Sequence, residues 1–219
     1  MNLIESSLIH QIAPFDETRS GPNPTLILLH GRGANEQDLL RLVPFLSPRL
    51  LCIAARAPFF FPYGGFTWYD LQEVGSPNEE QFAESYSRLR HFLDDVQQSY
   101  PVDAHQTFIL GFSMGTVMAY SLALTVPERI KGVIAHSGYI PEGTSLEFQW
   151  KNLANTSFFV AHGVHDPVIP VEFGRKARTL LAHSNAPFDY HEYPIQHQIS
   201  EESLRDLDQW LRERIELQK

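Results

Sequence analysis

The stretch that most limits how this 219-residue chain can fold is Gly-Phe-Ser-Met-Gly at residues 111–115. An apolar, β-rich run precedes it at residues 106–110, and a small-residue run of helical length follows at residues 116–124. A strand that turns at once into a helix needs glycines, because a Cβ would meet neighbouring backbone. The central Ser113 would then project from the edge of a sheet as an activated nucleophile. The alternative is a glycine-rich turn with a bystander serine.

Strand-like and helix-like runs alternate along the whole chain. The predicted strands cover residues 25–29, 49–55, 106–110, 130–136, 157–161 and 188–193. The predicted helices cover residues 36–44, 79–100, 113–124, 170–183 and 199–217. This alternation is typical of an α/β domain, with a mostly parallel sheet covered by helices on both faces. We expect one domain over residues 1–219, with residues 3–15 adding a strand or hairpin at one edge.

Composition excludes several classes of protein. The formal net charge is −9, which argues against nucleic acid as a partner because phosphate binding needs clustered Lys and Arg. Cys52 is the single cysteine, so no internal disulfide can form. The chain has no run of about 18 apolar residues, so we expect no membrane span. Residues 1–11 do not resemble a signal peptide. We expect a soluble cytoplasmic protein that acts on a small molecule; a homodimer is left open.

A nucleophilic serine needs a base, and the base needs an acid that orients it. Asp166 follows the predicted strand at residues 157–161, on a glycine turn, and His197 follows the last predicted strand. The carboxyl ends of parallel strands share one edge of a sheet, where open α/β sheets place their sites. The order Ser113, Asp166, His197 therefore predicts a catalytic triad.

Other histidines allow competing interpretations. His162 and His165 flank Asp166 and could form a metal site, but no second ligand-bearing segment has suitable spacing. His191 lies within a predicted strand, which indicates a packing or surface residue. His136 ends another strand near the site but precedes the acid in sequence. We expect no metal ion.

The tetrahedral intermediate of acyl transfer needs backbone N–H donors for its oxyanion. One donor is expected at Met114, directly after the nucleophile, and the other in the glycine-rich loop after the first strand. In that loop, His-Gly-Arg-Gly at residues 30–33, we assign the donor to Arg32. The glycine spacing does not fit a phosphate-binding loop.

The longest irregular region, residues 56–78, is rich in aromatic residues. Long loops are often functional, so this one is either a wall of the substrate pocket or a satellite hydrophobic cluster. Apolar residues with few polar groups are typical of small-molecule sites. The candidate pocket residues are Phe61, Trp68, Tyr69, Met114, Val168 and Ile169.

Six blocks of sequence resemble the phospholipase/carboxylesterase family of small hydrolases, over nearly the whole chain. They are residues 29–38, 56–58, 68–70, 111–115, 163–170 and 193–200. The resemblance implies an α/β-hydrolase fold without a large lid, no cofactor, and the triad and oxyanion donors assigned above. Met114 and Thr116 depart from the Gln and Gly that such enzymes often carry, and residues 33–35 also differ. The chain is thus more similar to the bacterial carboxylesterase branch than to the lipid-protein deacylases.

Three functions remain open from the sequence. The first is a serine carboxylesterase that cleaves esters of small to medium acyl chains through an acyl-enzyme. The second is an acyl-thioesterase or lysophospholipase, which would use the same triad. The third is a catalytically inactive binding module, because a fold does not fix a function.

Overall fold

The computed structural model describes residues 3–15 and 21–216. In chain order the strands are β1 (His10–Ile12), β2 (Asn23–Leu29), β3 (Leu51–Ala55), β4 (Phe59–Phe60), β5 (Phe66–Thr67), β6 (Leu71–Glu73), β7 (Ser76–Pro77), β8 (Val102–Phe112), β9 (Gly132–His136), β10 (Ser157–Gly163) and β11 (Phe188–Tyr193). The α-helices are α1 (Glu79–Ser99), α2 (Met114–Thr125), α3 (Val171–Ala182) and α4 (Glu201–Glu216). Short 3-10 helices cover Leu39–Phe45, Pro127–Arg129 and Trp150–Asn152.

Seven strands form one sheet in the order β1-β3-β2-β8-β9-β10-β11. All neighbours pair in parallel except β1, which pairs antiparallel with β3 at one edge. The predicted parallel sheet and its extra edge strand are therefore confirmed. Because the other six strands run the same way, the ends of β8, β10 and β11 open onto one edge of the sheet.

Both faces of the sheet are covered. Side chains alternate along a strand, so Ile27 and Leu29 of β2 pack on one side while Leu26 and Leu28 pack on the other. Helices α1, α2 and α3 contribute to the first core, and α4 with the 3-10 helix at Leu39–Phe45 contributes to the second. Nearly every residue of α2 is buried, which explains its small, uncharged sequence.

Two predicted elements differ from the structure. The helix predicted at residues 36–44 is a 3-10 helix at Leu39–Phe45, with Pro44 inside it. Proline lacks the N–H that would continue an α-helical ladder, so this segment stays short. The irregular region 56–78 contains two small hairpins, β4–β5 and β6–β7. The predicted end of the last helix at Leu217 lies outside the described residues.

A membrane-spanning helix is absent from the described part of the chain, where no helix combines the necessary length and apolar character.

Candidate active site

Ser113 lies between β8 and α2 in a backbone conformation that side chains rarely adopt. Its φ is 55° and its ψ is −120°. A positive φ in a residue other than glycine costs roughly 1–3 kcal/mol and persists only where the surrounding structure imposes it. Here the Ser113 N–H donates to His136 O at 3.0 Å, which ties the turn to the end of β9.

The two glycines of the pentapeptide are required by close backbone contacts. A Cβ on Gly111 would lie 2.5 Å from Gly115 O and from Thr116 N. A Cβ on Gly115 would lie 2.0 Å from Leu29 O. Helix α2 can therefore start directly against β2 only with glycine at both positions.

Thr116, one of the departures from the family pattern, has a structural role. Its Oγ1 lies 2.7 Å from Gly111 O and 2.8 Å from His136 O, so the hydroxyl donates to this pair of carbonyls. The side chain is completely buried. Thr116 therefore fastens the start of α2 to the ends of β8 and β9, beneath Ser113.

Asp166 follows β10 and is held by backbone donors. Its Oδ1 accepts hydrogen bonds from Val168 N at 2.8 Å and from Ile169 N at 2.9 Å. Its Oδ2 accepts one from His197 Nδ1 at 2.7 Å. The carboxylate side chain has no exposed surface, so its orientation is fixed by these three donors.

His197 lies in the loop between β11 and α4, with 16% of its side chain exposed. Because Nδ1–H donates to Asp166, the lone pair of the neutral ring is on Nε2. The ring packs on Phe112, with 4.9 Å between ring centroids. Phe112 directly precedes Ser113, so this contact keeps the imidazole beside the serine.

The structure brings Asp166 and His197 into contact, as the sequence predicted. Within the described residues, however, Ser113 Oγ makes no hydrogen bond to His197. The serine residue is buried, with 8% of its surface accessible. Catalytic hydrogen bonds of this kind commonly tighten only when substrate is bound.

The loop after β2 is built on a buried histidine. His30 Nδ1 donates to Gly31 O at 2.7 Å, and His30 Nε2 accepts from Ala57 N at 3.0 Å. Burial lowers the pKa of His30, which keeps the ring neutral and able to make both bonds. The His30 carbonyl accepts from Trp68 Nε1 at 2.9 Å. These contacts fix the loop that carries Arg32.

The backbone N–H groups of Arg32 and Met114 have no acceptor among the described residues. Met114 is the first residue of α2, and the first N–H groups of a helix have no partner within it. Two free donors at this edge could hold an anionic oxygen.

The Arg32 side chain packs away from the reacting groups. Its guanidinium lies 4.4 Å from the centroid of the Phe61 ring and 3.7 Å from Asp70 Oδ1. Its charge is therefore already partnered by a carboxylate and an aromatic face.

The predicted pocket residues occupy two different environments. Val168 is 53% exposed beside the acid, and Phe61 is half-buried beneath Arg32. Ile169 is buried at 5% exposure. Trp68 and Tyr69 have 0% and 1% of their surface exposed, so they lie in the core behind the site. Trp68 supports the loop after β2 from within, through its hydrogen bond to His30 O.

Comparisons with known proteins agree with this architecture. Residues 11–215 match the family model described as Phospholipase/Carboxylesterase. The chain belongs to this phospholipase/carboxylesterase family. Its predicted α/β-hydrolase fold and hydrolase class are thereby confirmed.

Among the relatives, a probable carboxylesterase SOBER1-like of Arabidopsis thaliana is 28% identical over 87% of this chain and 79% of its own length. Acyl-protein thioesterase 1 of Debaryomyces hansenii is 31% identical over 74% of this chain and 71% of its own. A carboxylesterase structure from Bacillus cereus superposes with a TM-score of 0.82 at 24% identity, covering 94% of both chains. At that identity the structural likeness supports the fold alone.

Sequence reasoning missed the supporting role of His162 in this phospholipase/carboxylesterase family member. His162 Nε2 donates to Ile169 O at 2.8 Å, while Ile169 N donates to Asp166. Burial lowers the pKa of His162. No group of possible metal ligands occurs in the described part of the chain. His162 therefore braces the segment that follows β10 and carries Asp166, and its place at the end of that strand, four residues before Asp166, was the available signal.

His136 is a second buried histidine behind the site. It is completely buried and makes 3.1 Å hydrogen bonds to Ser137 Oγ and Ser203 Oγ. Its ring also lies 5.9 Å from Phe112, whose other neighbour is His197. His191, by contrast, stacks on Phe159 at 4.8 Å, the packing role predicted for it.

Acid is expected to destabilise the protein from about pH 6.5 downward. Burial lowers the pKa of His136 from 6.5 to about 3. Between these values only the unfolded state binds the proton, so the free energy of unfolding falls as the pH falls, by about 1.4 kcal/mol per pH unit for this group. Above pH 6.5 both states are neutral and the contribution is constant.

Chemical denaturation between pH 7 and 4.5 measures this effect. His136→Gln removes the titrating group, so its slope should be shallower than that of the unaltered protein by about 1.4 kcal/mol per pH unit. Equal slopes would show that His136 already binds its proton in the folded state.

Proposed function

We propose that the protein is a serine hydrolase that cleaves carboxylic esters of small to medium acyl chain through an acyl-enzyme. The observation that carries this proposal is the 2.7 Å hydrogen bond from His197 Nδ1 to the buried carboxylate of Asp166, next to the strained turn at Ser113. This arrangement leaves His197 Nε2 free to act as a base toward the serine.

In the first half-reaction Ser113 Oγ attacks the ester carbonyl carbon while His197 Nε2 takes the serine proton. Asp166 stabilises the resulting imidazolium without taking the proton. The anionic oxygen of the tetrahedral intermediate is held by the N–H groups of Arg32 and Met114. Each such donor contributes about 3–4 kcal/mol to the transition state.

The intermediate collapses when the bond to the leaving oxygen breaks and His197 Nε2–H donates its proton to that oxygen. A water molecule then attacks the acyl-enzyme, and His197 takes the proton of the water. Collapse of the second intermediate releases the acid and returns the proton to Ser113 Oγ. The cycle consumes one ester and one water and needs no cofactor.

The acyl group is proposed to contact Phe61, Val168, Ile169 and Met114. Met114 Sδ accepts a hydrogen bond from Thr67 Oγ1 at 3.4 Å, which directs its side chain toward the aromatic region. Methionine is flexible and polarizable, so it fits acyl groups of different shape. Trp68 and Tyr69 would support this wall from the core without touching substrate.

A series of p-nitrophenyl esters with acyl chains from acetyl to dodecanoyl tests the proposal. We expect measurable kcat/KM throughout, with a maximum at small to medium chains because the acyl wall contains few exposed residues. Ser113→Ala provides the background rate. A well-folded protein that turns over no ester of the series would contradict the proposal.

A thioesterase is the second candidate, supported by the 31% identity to an acyl-protein thioesterase of D. hansenii. Thioesters would use the same triad, so the two activities compete for one site. Competition between a p-nitrophenyl ester and an acyl-thioester of the same chain length gives the ratio of the two kcat/KM values. A ratio in favour of the thioester would select this second function.

A cytoplasmic location and a small-molecule ester substrate are part of the proposal, and a homodimer is left open. Cys52, the single cysteine, is buried, and burial raises the pKa of its thiol to about 12. Thiolate chemistry at this position is therefore suppressed. Sedimentation of the purified enzyme decides between monomer and homodimer.

A further inference from the structure

An apolar groove runs along the outside of the protein between the 3-10 helix at Leu39–Phe45 and helix α4. It encloses about 630 Å³, and its apolar lining consists of Leu42, Phe45, Ile199 and Leu204. Phe45 is 66% exposed at its rim. Leu204 belongs to the apolar stripe of α4, but it is only partly buried, whereas Leu207 and Leu211 are fully buried in the core.

The groove adjoins a second hollow, which reaches His197. A smaller hollow of about 260 Å³ is lined by Phe112 and His197, and it shares Leu42 and Ile199 with the groove. The two spaces therefore adjoin at Leu42 and Ile199, between His197 and the side of α4. Neither hollow is lined by Arg32 or Met114, the proposed oxyanion donors.

The position of the smaller hollow, beside His197, indicates which portion of an ester it would face, the acyl portion or the alcohol portion. The acyl carbonyl lies against the oxyanion donors, while His197 delivers its proton to the leaving oxygen. A chain attached to the leaving oxygen therefore starts beside His197, where the smaller hollow opens. The hollow and the groove are thus placed to receive the alcohol portion of the ester rather than its acyl portion.

The charges around the groove are balanced. The two hollows are lined by three basic and three acidic residues: Arg41, Arg205, Arg212, Asp38, Glu201 and Asp208. Arg212 Nε lies 2.6 Å from Asp208 Oδ2, and Arg41 pairs with Asp38. Because the rim charges are equal in number and largely paired, the groove offers no net charge to an ion. Its chemistry suits an uncharged apolar chain.

The length of the groove sets the size of that chain. From Glu201 to Arg212 helix α4 rises about 16 Å, at 1.5 Å per residue. An extended chain advances roughly 1.2 Å per bond, so about a dozen atoms would fill the groove. The combined hollows can thus hold a long alkyl group along α4.

On the basis of the proposed esterase function, we propose that the groove is a leaving-group subsite, which binds the apolar alkyl chain of a fatty-alcohol-type ester. The substrate class is then an ester whose alcohol portion is long and uncharged and whose acyl portion is shorter. Full burial of a methylene group should raise kcat/KM roughly fourfold. Burial on one side only halves the free energy gained, so kcat/KM should rise about twofold per methylene.

Two ester series test this inference. In the first, the acyl group is butyryl and the alcohol grows from methyl to octyl, below the concentration at which the esters aggregate. In the second, the alcohol is methyl and the acyl chain grows. We expect kcat/KM to rise with alcohol length in the first series. Phe45→Ser should lower the octyl-to-methyl ratio of kcat/KM about tenfold, while the acyl series keeps its profile.

Ile9→Ser is the matched control, because Ile9 is 61% exposed and does not line either hollow. It should leave both series unchanged. A flat alcohol series, or an octyl-to-methyl ratio unaffected by Phe45→Ser, overturns the leaving-group subsite while leaving the esterase function intact. Loss of self-association in Phe45→Ser without a change in that ratio would assign the groove to a second copy of the chain. Failure to hydrolyse any ester overturns both proposals.

Discussion

Replacing Ser113 with alanine is expected to lower kcat for a p-nitrophenyl ester by about 10⁴-fold or more. The substitution removes the proposed nucleophilic oxygen from the turn between β8 and α2, while the backbone donors at Arg32 and Met114 remain. Because alanine relieves no backbone strain and removes no hydrogen bond of Ser113 Oγ within the described residues, the free energy of unfolding should change little. Hydrolysis rates and denaturation curves of the same preparation measure both quantities.

Ser137→Ala provides a matched control for this result. Ser137 also has a positive φ, 52°, and directly follows the neighbouring strand β9, but it is completely buried beside His136. Loss of the Ser137 hydroxyl should leave kcat within about tenfold of that of the unaltered protein. The double variant Ser113→Ala/His197→Ala should be no slower than Ser113→Ala alone, because residues that act as a unit are not additive. Additive losses would indicate that His197 acts apart from Ser113.

Replacing Gly115 with alanine is expected to destabilise the fold by about 3 kcal/mol or more. Alanine normally stabilises a helix by up to about 1 kcal/mol relative to glycine. Here its Cβ would lie 2.0 Å from Leu29 O and 2.8 Å from His30 O, so α2 must move away from β2. Overpacking of a tight interior costs about 1–3 kcal/mol and sometimes more. The midpoint of chemical denaturation measures the loss.

Gly143→Ala is the control for the clash at Gly115. A Cβ on Gly143 would meet only Gly75 O, at 3.9 Å, and its backbone does not require a positive φ. Its free energy of unfolding should stay within about 0.5 kcal/mol of that of the unaltered protein. Equal stability of the two variants would mean that the close contact at Gly115 does not hold α2 against β2.

The parts of the site that the sequence could predict are those that depend on local pattern and strand order. The parallel sheet followed from the alternation of runs, and the placement of Asp166 and His197 followed from the shared edge of parallel strands. Their 2.7 Å hydrogen bond agrees with that reasoning. The catalytic roles of Ser113, Asp166 and His197 and of the two oxyanion donors stay predictions.

The supporting residues could not be predicted because they depend on contacts across the fold. Nothing near His136 indicates that its ring meets Ser203, 67 residues away. From the sequence, Trp68 was a candidate residue of the substrate pocket. In the structure it is fully buried, and its Nε1–H donates to the carbonyl of His30. The groove along α4 is equally hidden, because Leu204 belongs to the same apolar stripe as its buried neighbours. An apolar stripe in the sequence predicts a helix, but it does not show which residues of the stripe are covered by the rest of the fold.

Labelling with a fluorophosphonate probe tests the central claim most directly, since the probe reacts with a serine only when an adjacent base activates it. Peptide mapping of the labelled protein should find one adduct per chain, on Ser113. His197→Ala should slow labelling by about 10²–10⁴-fold, the usual contribution of a general base. An adduct on another residue, or no adduct in folded protein, would contradict the assignment of Ser113 as the nucleophile.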